Sequence, residues 1–215
     1  MNKLKYISSA ITIAAILSSC ATIIGGFTST KSSSGSSYGP ATLSSGDTSL
    51  SNDKLTALTI ESGDLTLNDF AIQYKLSVYG DLTVTDSKLR GVTQVGGGML
   101  SNNTNFYQSC GILGNVVSNG SYFAKDLEFA GNTLELNQKS KIVGNIISSA
   151  TQPVTVTIDN SYVKGNIGFV NSNSVVIIKN KGYVKGQIIN AKVEDLTGGD
   201  SYGGDDDFKE NELKE

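Results

Sequence analysis

Short alternating apolar segments dominate the middle of the chain, and they predict β-strands. Between residues 55 and 195 these segments are broken by Gly, Asn and Asp, as strands joined by tight turns are. No segment of about ten or more residues from Leu55 onward has the capped, amphipathic pattern of a helix. The body is therefore predicted to be all-β. Its clearest strands are Leu65–Leu67, Leu82–Val84, Leu134–Leu136, Val154–Ile158 and Val175–Ile178.

One unit recurs along this body. Ile142–Ile146 reads Ile-Val-Gly-Asn-Ile, and similar units follow at Val163–Ile167 and Val184–Ile188, with glycines 21 positions apart. A looser unit, Gly63–Leu67, returns 17 residues later as Gly80–Val84. Repeats near 20 residues are typical of solenoids, because each unit is too small to form its own core. The spacing favours a single-stranded parallel β-helix of about seven coils, each of about 20 residues. The alternative is a β-sandwich.

The repeated unit also predicts which side chains face inward. Strand alternation places Val163, Gly165 and Ile167 on one side of a strand, and Lys164 and Asn166 on the other. Gly in this position allows a corner, or a close wall contact that a Cβ would hinder. Asn after Gly tolerates left-handed backbone and can hydrogen-bond to its counterpart one coil along.

Equivalent positions of neighbouring units carry the same outward residue types. Tyr162 and Tyr183 are 21 positions apart, and each is followed two residues later by a lysine, Lys164 or Lys185. Stacked coils would turn these residues into ladders on the outer wall, where they stabilise adjacent strands. They are also the candidate surface contacts, because such ladders can bind a carbohydrate or another protein.

Side chains used by many enzymes and metal sites are scarce in this composition. The chain has no His, two Cys and one Arg, which excludes histidine catalysis and His-based or Cys-rich metal sites. Two carboxylate pairs, Asp126 with Glu128 and Asp64 with Asp81, can share a face or stack, and we interpret them as solvated wall or turn residues. We expect no enzyme activity, no cofactor and no metal. The formal net charge of −3 also predicts no nucleic-acid partner.

Two further features have weak chemical signals. Gly198–Asp207 faintly resembles the Gly- and Asp-rich calcium repeats of secreted toxins, but such sites need several registered copies. We therefore interpret it as part of a solvated tail. Cys110 is predicted to be a small buried residue near a corner, and the alternative is an intermolecular disulfide.

The first twenty residues predict export and lipidation. A short basic start precedes an apolar run, Ile7–Leu17, whose roughly 11 residues suit a signal peptide and are too few to span a bilayer. Leu17–Cys20 then resembles the lipobox of bacterial lipoproteins. The resemblance implies cleavage between Ser19 and Cys20 and acylation of Cys20, which anchors the chain in the lipid bilayer. Ala21 implies sorting to the outer membrane. The alternative is an ordinary signal peptide with an incidental cysteine.

Composition divides the chain into four segments. The segment before the body is rich in Ser and Gly and cannot bury enough apolar surface to order itself. The segment after it is acidic: nine acidic residues against two lysines give Glu194–Glu215 a charge of −7, typical of a solvated, disordered end. The predicted division is a signal peptide at 1–19, a lipidated cysteine and tether at 20–54, a β-helical domain at 55–195 and a disordered tail at 196–215.

The body resembles the bactofilin family of polymer-forming bacterial proteins. The resemblance lies in the Val/Ile-x-Gly-Asn-Ile steps of Ile142–Ile146 and Val163–Ile167, with Val184–Ile188 as a variant, and it covers residues 110–193. It implies a right-handed β-helix that assembles end to end without nucleotide. The leader and the less regular first coils depart from the family pattern. This departure affects the expectation of filament formation more than that of the fold.

These observations predict a lipid-anchored cell-envelope protein with a non-enzymatic β-helical domain for structure, self-association or interaction. Unpaired strands at the coil ends would drive end-to-end self-association. An alternative function is a carbohydrate-binding or adhesin-like surface lipoprotein whose partner is a cell-wall or surface glycan. A third is a polysaccharide-active β-helix enzyme.

Overall fold

The protein is an all-β solenoid. The structure, a computed structural model, describes residues 39–44 and 46–198, which contain strands and no helix. Every strand pair is parallel, and the strands form one continuous sheet wound into about nine turns. The strands are β1 (Ala41–Leu43), β2 (Thr48–Ile60), β3 (Leu65–Val78), β4 (Leu82–Thr85), β5 (Lys88–Leu89), β6 (Val92–Val95), β7 (Met99–Asn102), β8 (Asn105–Phe106), β9 (Cys110–Ile112), β10 (Val116–Asn119), β11 (Tyr122–Phe123), β12 (Leu127–Phe129), β13 (Thr133–Asn137), β14 (Lys141–Ile142), β15 (Ile146–Ser148), β16 (Thr155–Asp159), β17 (Tyr162–Val163), β18 (Ile167–Phe169), β19 (Ser174–Lys179), β20 (Tyr183–Val184), β21 (Ile188–Ile189) and β22 (Ala191–Asp195).

Each coil has three sides, and each strand pairs with the equivalent strand one coil along. Side 1 consists of the start of β2, the start of β3, β4, β7, β10, β13, β16, β19 and β22. Side 2 runs from the middle of β2 and β3 through β5, β8, β11, β14 and β17 to β20. Side 3 runs from β1 through the ends of β2 and β3, then β6, β9, β12, β15 and β18 to β21. The predicted parallel β-helix is confirmed, and the β-sandwich alternative is wrong.

The coils are shorter than predicted over most of the solenoid. In the first half, equivalent residues such as Leu65, Leu82 and Met99 lie 17 positions apart. Spacings of 21 occur in the last coils, as from Lys141 to Tyr162. The prediction of about 20 residues and seven coils came from those longer units. The typical coil has about 17 residues, so the body holds about nine coils.

Stacked columns of inward-facing side chains fill the interior. Alternation along each strand turns every second residue inward, and register alignment places like residues on top of each other. Phe106 and Phe123 stack in this way, with ring centroids 4.5 Å apart and planes within 2°. The inward column at the start of side 1 contains Leu65, Leu82, Met99, Val116, Leu134, Val156 and Val176.

The solenoid begins inside the segment predicted as a tether. β1 and the first half of β2 lie before residue 55, and both pair with the following coil. Leu43 and Leu50 extend the core columns at this end and are partly buried. A Ser- and Thr-rich composition concealed this coil, although Thr favours strands and two leucines suffice to join an existing column.

The repeated Val-x-Gly-Asn-Ile unit spans a corner rather than a single strand. Val163 ends β17 on side 2, Ile167 begins β18 on side 3, and both are fully buried. Lys164 and Asn166 are exposed, as predicted. The expected left-handed backbone is absent from Asn145 and Asn166 and occurs instead between sides 1 and 2, for example at Asn160.

Candidate functional site

Gly and Asn hold the corner between sides 2 and 3 together. A Cβ on Gly165 would collide with the carbonyl group of Gly144 one coil below, so the close wall contact predicted for this glycine is confirmed. The Oδ1 atom of Asn145 accepts a hydrogen bond from the backbone N–H of Asn166 at 2.9 Å, and Asn166 accepts one from Gln187 at 2.8 Å. The predicted hydrogen bonding between coils therefore runs from backbone to side chain.

The corner between sides 1 and 2 contains a residue with left-handed backbone conformation in each of the first coils. The repeated residue has a positive φ and recurs every 17 positions along the first coils, at Asn52, Asp69, Asp86, Asn103 and Gly120. Asn, Asp and Gly tolerate this conformation best. Sequence reasoning missed this ladder, although its 17-residue spacing of Asn, Asp and Gly was the available signal.

A ladder of buried hydroxyl groups follows the same corner. Ser121 Oγ accepts the N–H of Thr104 at 3.1 Å and donates to the carbonyl oxygen of Asn119. Thr104 Oγ1 in turn accepts the N–H of Ser87 at 3.3 Å. These side chains satisfy backbone groups that the turn would otherwise bury without a partner. They are structural polar groups of the core.

The predicted tyrosine ladder lies on the outer wall of side 2. Tyr162 and Tyr183 stack with ring centroids 5.6 Å apart and planes within 6°. The Lys141 ammonium lies 5.9 Å from the centroid of the Tyr162 ring, and Tyr162 is only 8% exposed. Lys164 and Lys185 occupy equivalent exposed positions at the next corner. The four candidate contact residues are thus brought together, and the ring faces within the tyrosine stack cover each other.

Both carboxylate pairs are close to where the sequence placed them. Asp64 and Asp81 stack on neighbouring coils, because Asp64 Oδ1 accepts the N–H of Asp81 at 2.8 Å. Asp126 and Glu128 flank buried Leu127 and share the outward side. Partial burial, and secondly the charge of Asp126, raise the pKa of Glu128. In the described part of the chain, no cluster of three or more His, Cys, Asp or Glu residues could hold a metal ion.

Cys110 is a core residue at the start of β9, which confirms that it is small, buried and next to a corner. Its side chain is 2% exposed and stacks between the coils of Thr93 and Leu127. Burial raises the pKa of the Cys110 thiol far above its ordinary range. Burial of the thiol opposes the alternative of an intermolecular disulfide.

Both ends of the described solenoid are open. β1 and the first part of β2 pair only with the coil that follows them, while β20, β21 and β22 pair only with the coil that precedes them. Apolar positions of the core columns are therefore uncovered at the last coil. Val193 continues the column of Val156 and Val176 but is 50% exposed, and Leu196 just beyond it is 64% exposed.

The predicted lipidation and cleavage residues, Ser19 and Cys20, lie outside the described residues, as does most of the predicted calcium-like segment and acidic tail. Within residues 39–44 and 46–198, no helix has the length and apolar character needed to cross a membrane.

The fold and its ends define the class of molecule: a parallel β-solenoid whose described terminal coils are uncapped. Comparisons with models of protein families, with curated proteins and with solved structures give no match for this chain.

Proposed function

We propose that the protein is a non-enzymatic structural lipoprotein of the bacterial cell envelope whose solenoid self-associates end to end. The observation that carries the proposal is the pair of open ends, where unpaired parallel strands meet uncovered core columns. Such edges are templates for further strand pairing. A second copy that adds its coils to an end satisfies the backbone groups and covers the apolar side chains together.

The apolar residues at the two ends are suited to this contact. Ala41, Leu43 and Leu50 are partly buried at the first coil, and Val184 and Ile188 are partly buried at the last. Each belongs to a column that is closed elsewhere by the next coil. Burial of apolar surface contributes about 25 cal/mol per Å², so an abutting coil stabilises the contact through side chains that already face the axis.

A charged residue at the last coil weakens this contact. Asp195 continues the inward column of Ile158 and Ile178 at the outer edge of β22. Its carboxylate accepts hydrogen bonds from the Thr197 hydroxyl at 2.6 Å and the Thr197 N–H at 3.0 Å, and these bonds lower the pKa of Asp195. A carboxylate that becomes covered loses hydration, so it limits the affinity of end association.

The experiment is sedimentation velocity over a concentration series, with the full chain carrying Cys20→Ser to prevent acylation. We expect concentration-dependent oligomers that Val193→Lys disrupts, because a charge then stands at the end of an apolar column. The matched control is Ile147→Lys, which changes a 37% exposed apolar residue in the middle of side 3. Equal oligomerisation of both variants, or a monomer at every concentration, would refute the proposal.

The membrane anchor is tested separately. The lipobox-like Leu17–Cys20 supports acylation of Cys20. The three acyl chains of a lipoprotein anchor it in a membrane far more strongly than a single acyl chain, which gives only marginal membrane binding. Radiolabelled palmitate should enter the wild-type chain and remain absent from Cys20→Ser, which should leave the membrane fraction. Unchanged membrane retention of that variant would contradict the anchor and leave the end contact untouched.

A further inference from the structure

The corner between sides 1 and 2 has a recess in its last coils. Across this corner, six sequence positions separate the core residue of side 1 from that of side 2, both from Leu136 to Ile142 and from Ile178 to Val184. In the coil between them, only five positions separate Ile158 from Val163. The longer corners use two left-handed residues each, Gln138 with Lys139 and Asn180 with Lys181, whereas the middle corner uses Asn160 alone.

This difference places a lysine on either side of a shallow depression. The depression is lined by Lys139, Asp159, Asn160, Asn180 and Lys181. Lys139 and Lys181 are two coils apart, which is about 10 Å along the axis at the usual strand spacing. We call Lys139 and Lys181, with Asn160 between them, the basic corner.

The acidic residue that lines the depression, Asp159, already has partners. Asp159 Oδ2 lies 3.3 Å from the Lys179 ammonium, and Asp159 Oδ1 accepts the Asn180 amide at 2.9 Å. Lys139 and Lys181 are exposed, and no acidic group of the described chain lies within salt-bridge distance of either. Lys141 on the adjoining side adds positive charge. The basic corner therefore presents uncompensated positive charge to solvent.

The described chain ends directly above this corner. The N–H of Leu196 donates to the carbonyl oxygen of Ile178 at 2.7 Å, so the chain continues the register of β22 onto the next turn. Gly198 has φ +80°, the left-handed conformation of this corner. Gly198 consequently lies about one coil, or about 5 Å, beyond Lys181.

The sequence after Gly198 carries the opposite charge and has the required length. Residues 199–215 contain seven acidic residues and two lysines, with three consecutive aspartates at Asp205–Asp207. Asp205 is seven positions after Gly198, a reach of about 23 Å when extended. Lys139 lies three coils from Gly198, about 14 Å away along the axis. Both lysines are therefore within reach.

We infer that Asp205–Asp207 binds the basic corner of the same chain, with carboxylates paired to Lys139 and Lys181. Attachment through a short linker gives the acidic segment a high effective concentration at these lysines, so weak exposed ion pairs act together. The interaction should weaken with added salt, because the charges remain near solvent. It covers a recess that two lysines flank.

The test is carbodiimide cross-linking of the full chain carrying Cys20→Ser, analysed by mass spectrometry. This reagent joins a lysine to a carboxylate only where the two are in contact. We expect links from Asp205–Asp207 to Lys139 and Lys181 that exceed links to Lys192 severalfold at low salt. Lys192 is the matched control, since it is exposed on β22 of the last coil but lies on side 1.

Three outcomes would overturn the inference. An unattached tail would label Lys192 as much as Lys181 and more than Lys139, because Lys139 lies two coils further away. Equal linking in high salt would contradict a contact between charges. Links found mainly between copies, in a mixture of isotopically light and heavy chains, would show binding between chains and not within one chain. If the inference holds, replacing Asp205–Asp207 by asparagines should abolish the links to Lys139 and Lys181.

Discussion

Single residues decide how closely successive coils can approach. At Gly165 the backbone of one coil lies against the carbonyl group of Gly144 in the coil before it, and only a hydrogen atom fits between them. Gly168, three residues later on β18, has no heavy atom within 4 Å of the place where a Cβ would stand. The same residue type is thus essential at the corner and replaceable on the strand.

Gly165→Ala should therefore destabilise the solenoid and Gly168→Ala should not. The added methyl group forces the two coils apart at the corner, which costs roughly 1–3 kcal/mol of unfolding free energy. Gly168→Ala should stay within about 0.5 kcal/mol of wild type. Urea unfolding followed by circular dichroism measures both. Equal losses for the two variants would show that the corner contact has no special role.

Glu128 should make stability depend on pH. Its pKa is raised by partial burial and by Asp126, so at intermediate pH the folded state binds more protons than the unfolded state. Stability therefore falls as pH rises from the ordinary glutamate range through the raised value, and the full penalty is present above it. Glu128→Gln should stabilise the protein at neutral pH and lose that advantage in acid. A pH-independent difference in thermal midpoint would contradict this.

The strand-and-corner elements are held by ladders that run along the axis. Asn119 donates its amide to Asn102 Oδ1 at 2.9 Å, and Asn137 donates to Asn119 at 3.2 Å. The hydroxyl ladder lies immediately beside these amides, inside the corner. Each ladder satisfies polar groups one coil at a time, so every coil stabilises its neighbours and depends on them.

A matched pair of serines tests the hydroxyl ladder. Ser121→Ala leaves the buried N–H of Thr104 without its partner, and this should cost about 1–3 kcal/mol. Ser101→Ala removes a buried hydroxyl that has no hydrogen-bond partner in the described structure, and should be neutral or slightly stabilising. Equilibrium unfolding compares the two variants directly. A larger loss for Ser101→Ala would reverse the role assigned to the ladder.

The elements also show what sequence reasoning can and cannot reach. Repeated Val-x-Gly-Asn-Ile units and the Gly63–Leu67 repeat predicted the stacked coils, because their spacings coincide with strand registers. They did not reveal the three sides. A two-residue strand such as β14 carries no alternation that distinguishes it from a turn. Its position depends on the neighbouring coils, which only the folded chain brings together.

The candidate sites also differ in whether the sequence repeat predicts them. The stacking of Tyr162 on Tyr183 follows from equal position in two coils, so the repeat alone predicted it. The basic corner depends on where one extra residue enters each loop, and a 21-residue spacing does not locate that insertion. The sequence pattern therefore does not single out Lys139 and Lys181.

At the scale of the whole molecule, the described protein is a rod of stacked coils with open ends. About nine coils at about 4.8 Å each give a length of about 43 Å. Its interior columns stop mostly at partly exposed apolar residues, with Asp195 as a charged residue at the last coil and Asp53, in register with buried Phe70, at the first. Replacing Asp195 by valine should complete the last column and strengthen end association. Weaker association of that variant would contradict the assignment of β22 to the contact.

Negative-stain electron microscopy of the full chain with Cys20→Ser tests end-to-end assembly most directly. The account predicts rods with the width of one solenoid and lengths near multiples of about 43 Å, which grow with concentration. Val193→Lys should shorten them, and Ile147→Lys should leave them unchanged. Single particles of one solenoid at every concentration, or side-by-side sheets without lengthening, would contradict assembly through the open ends.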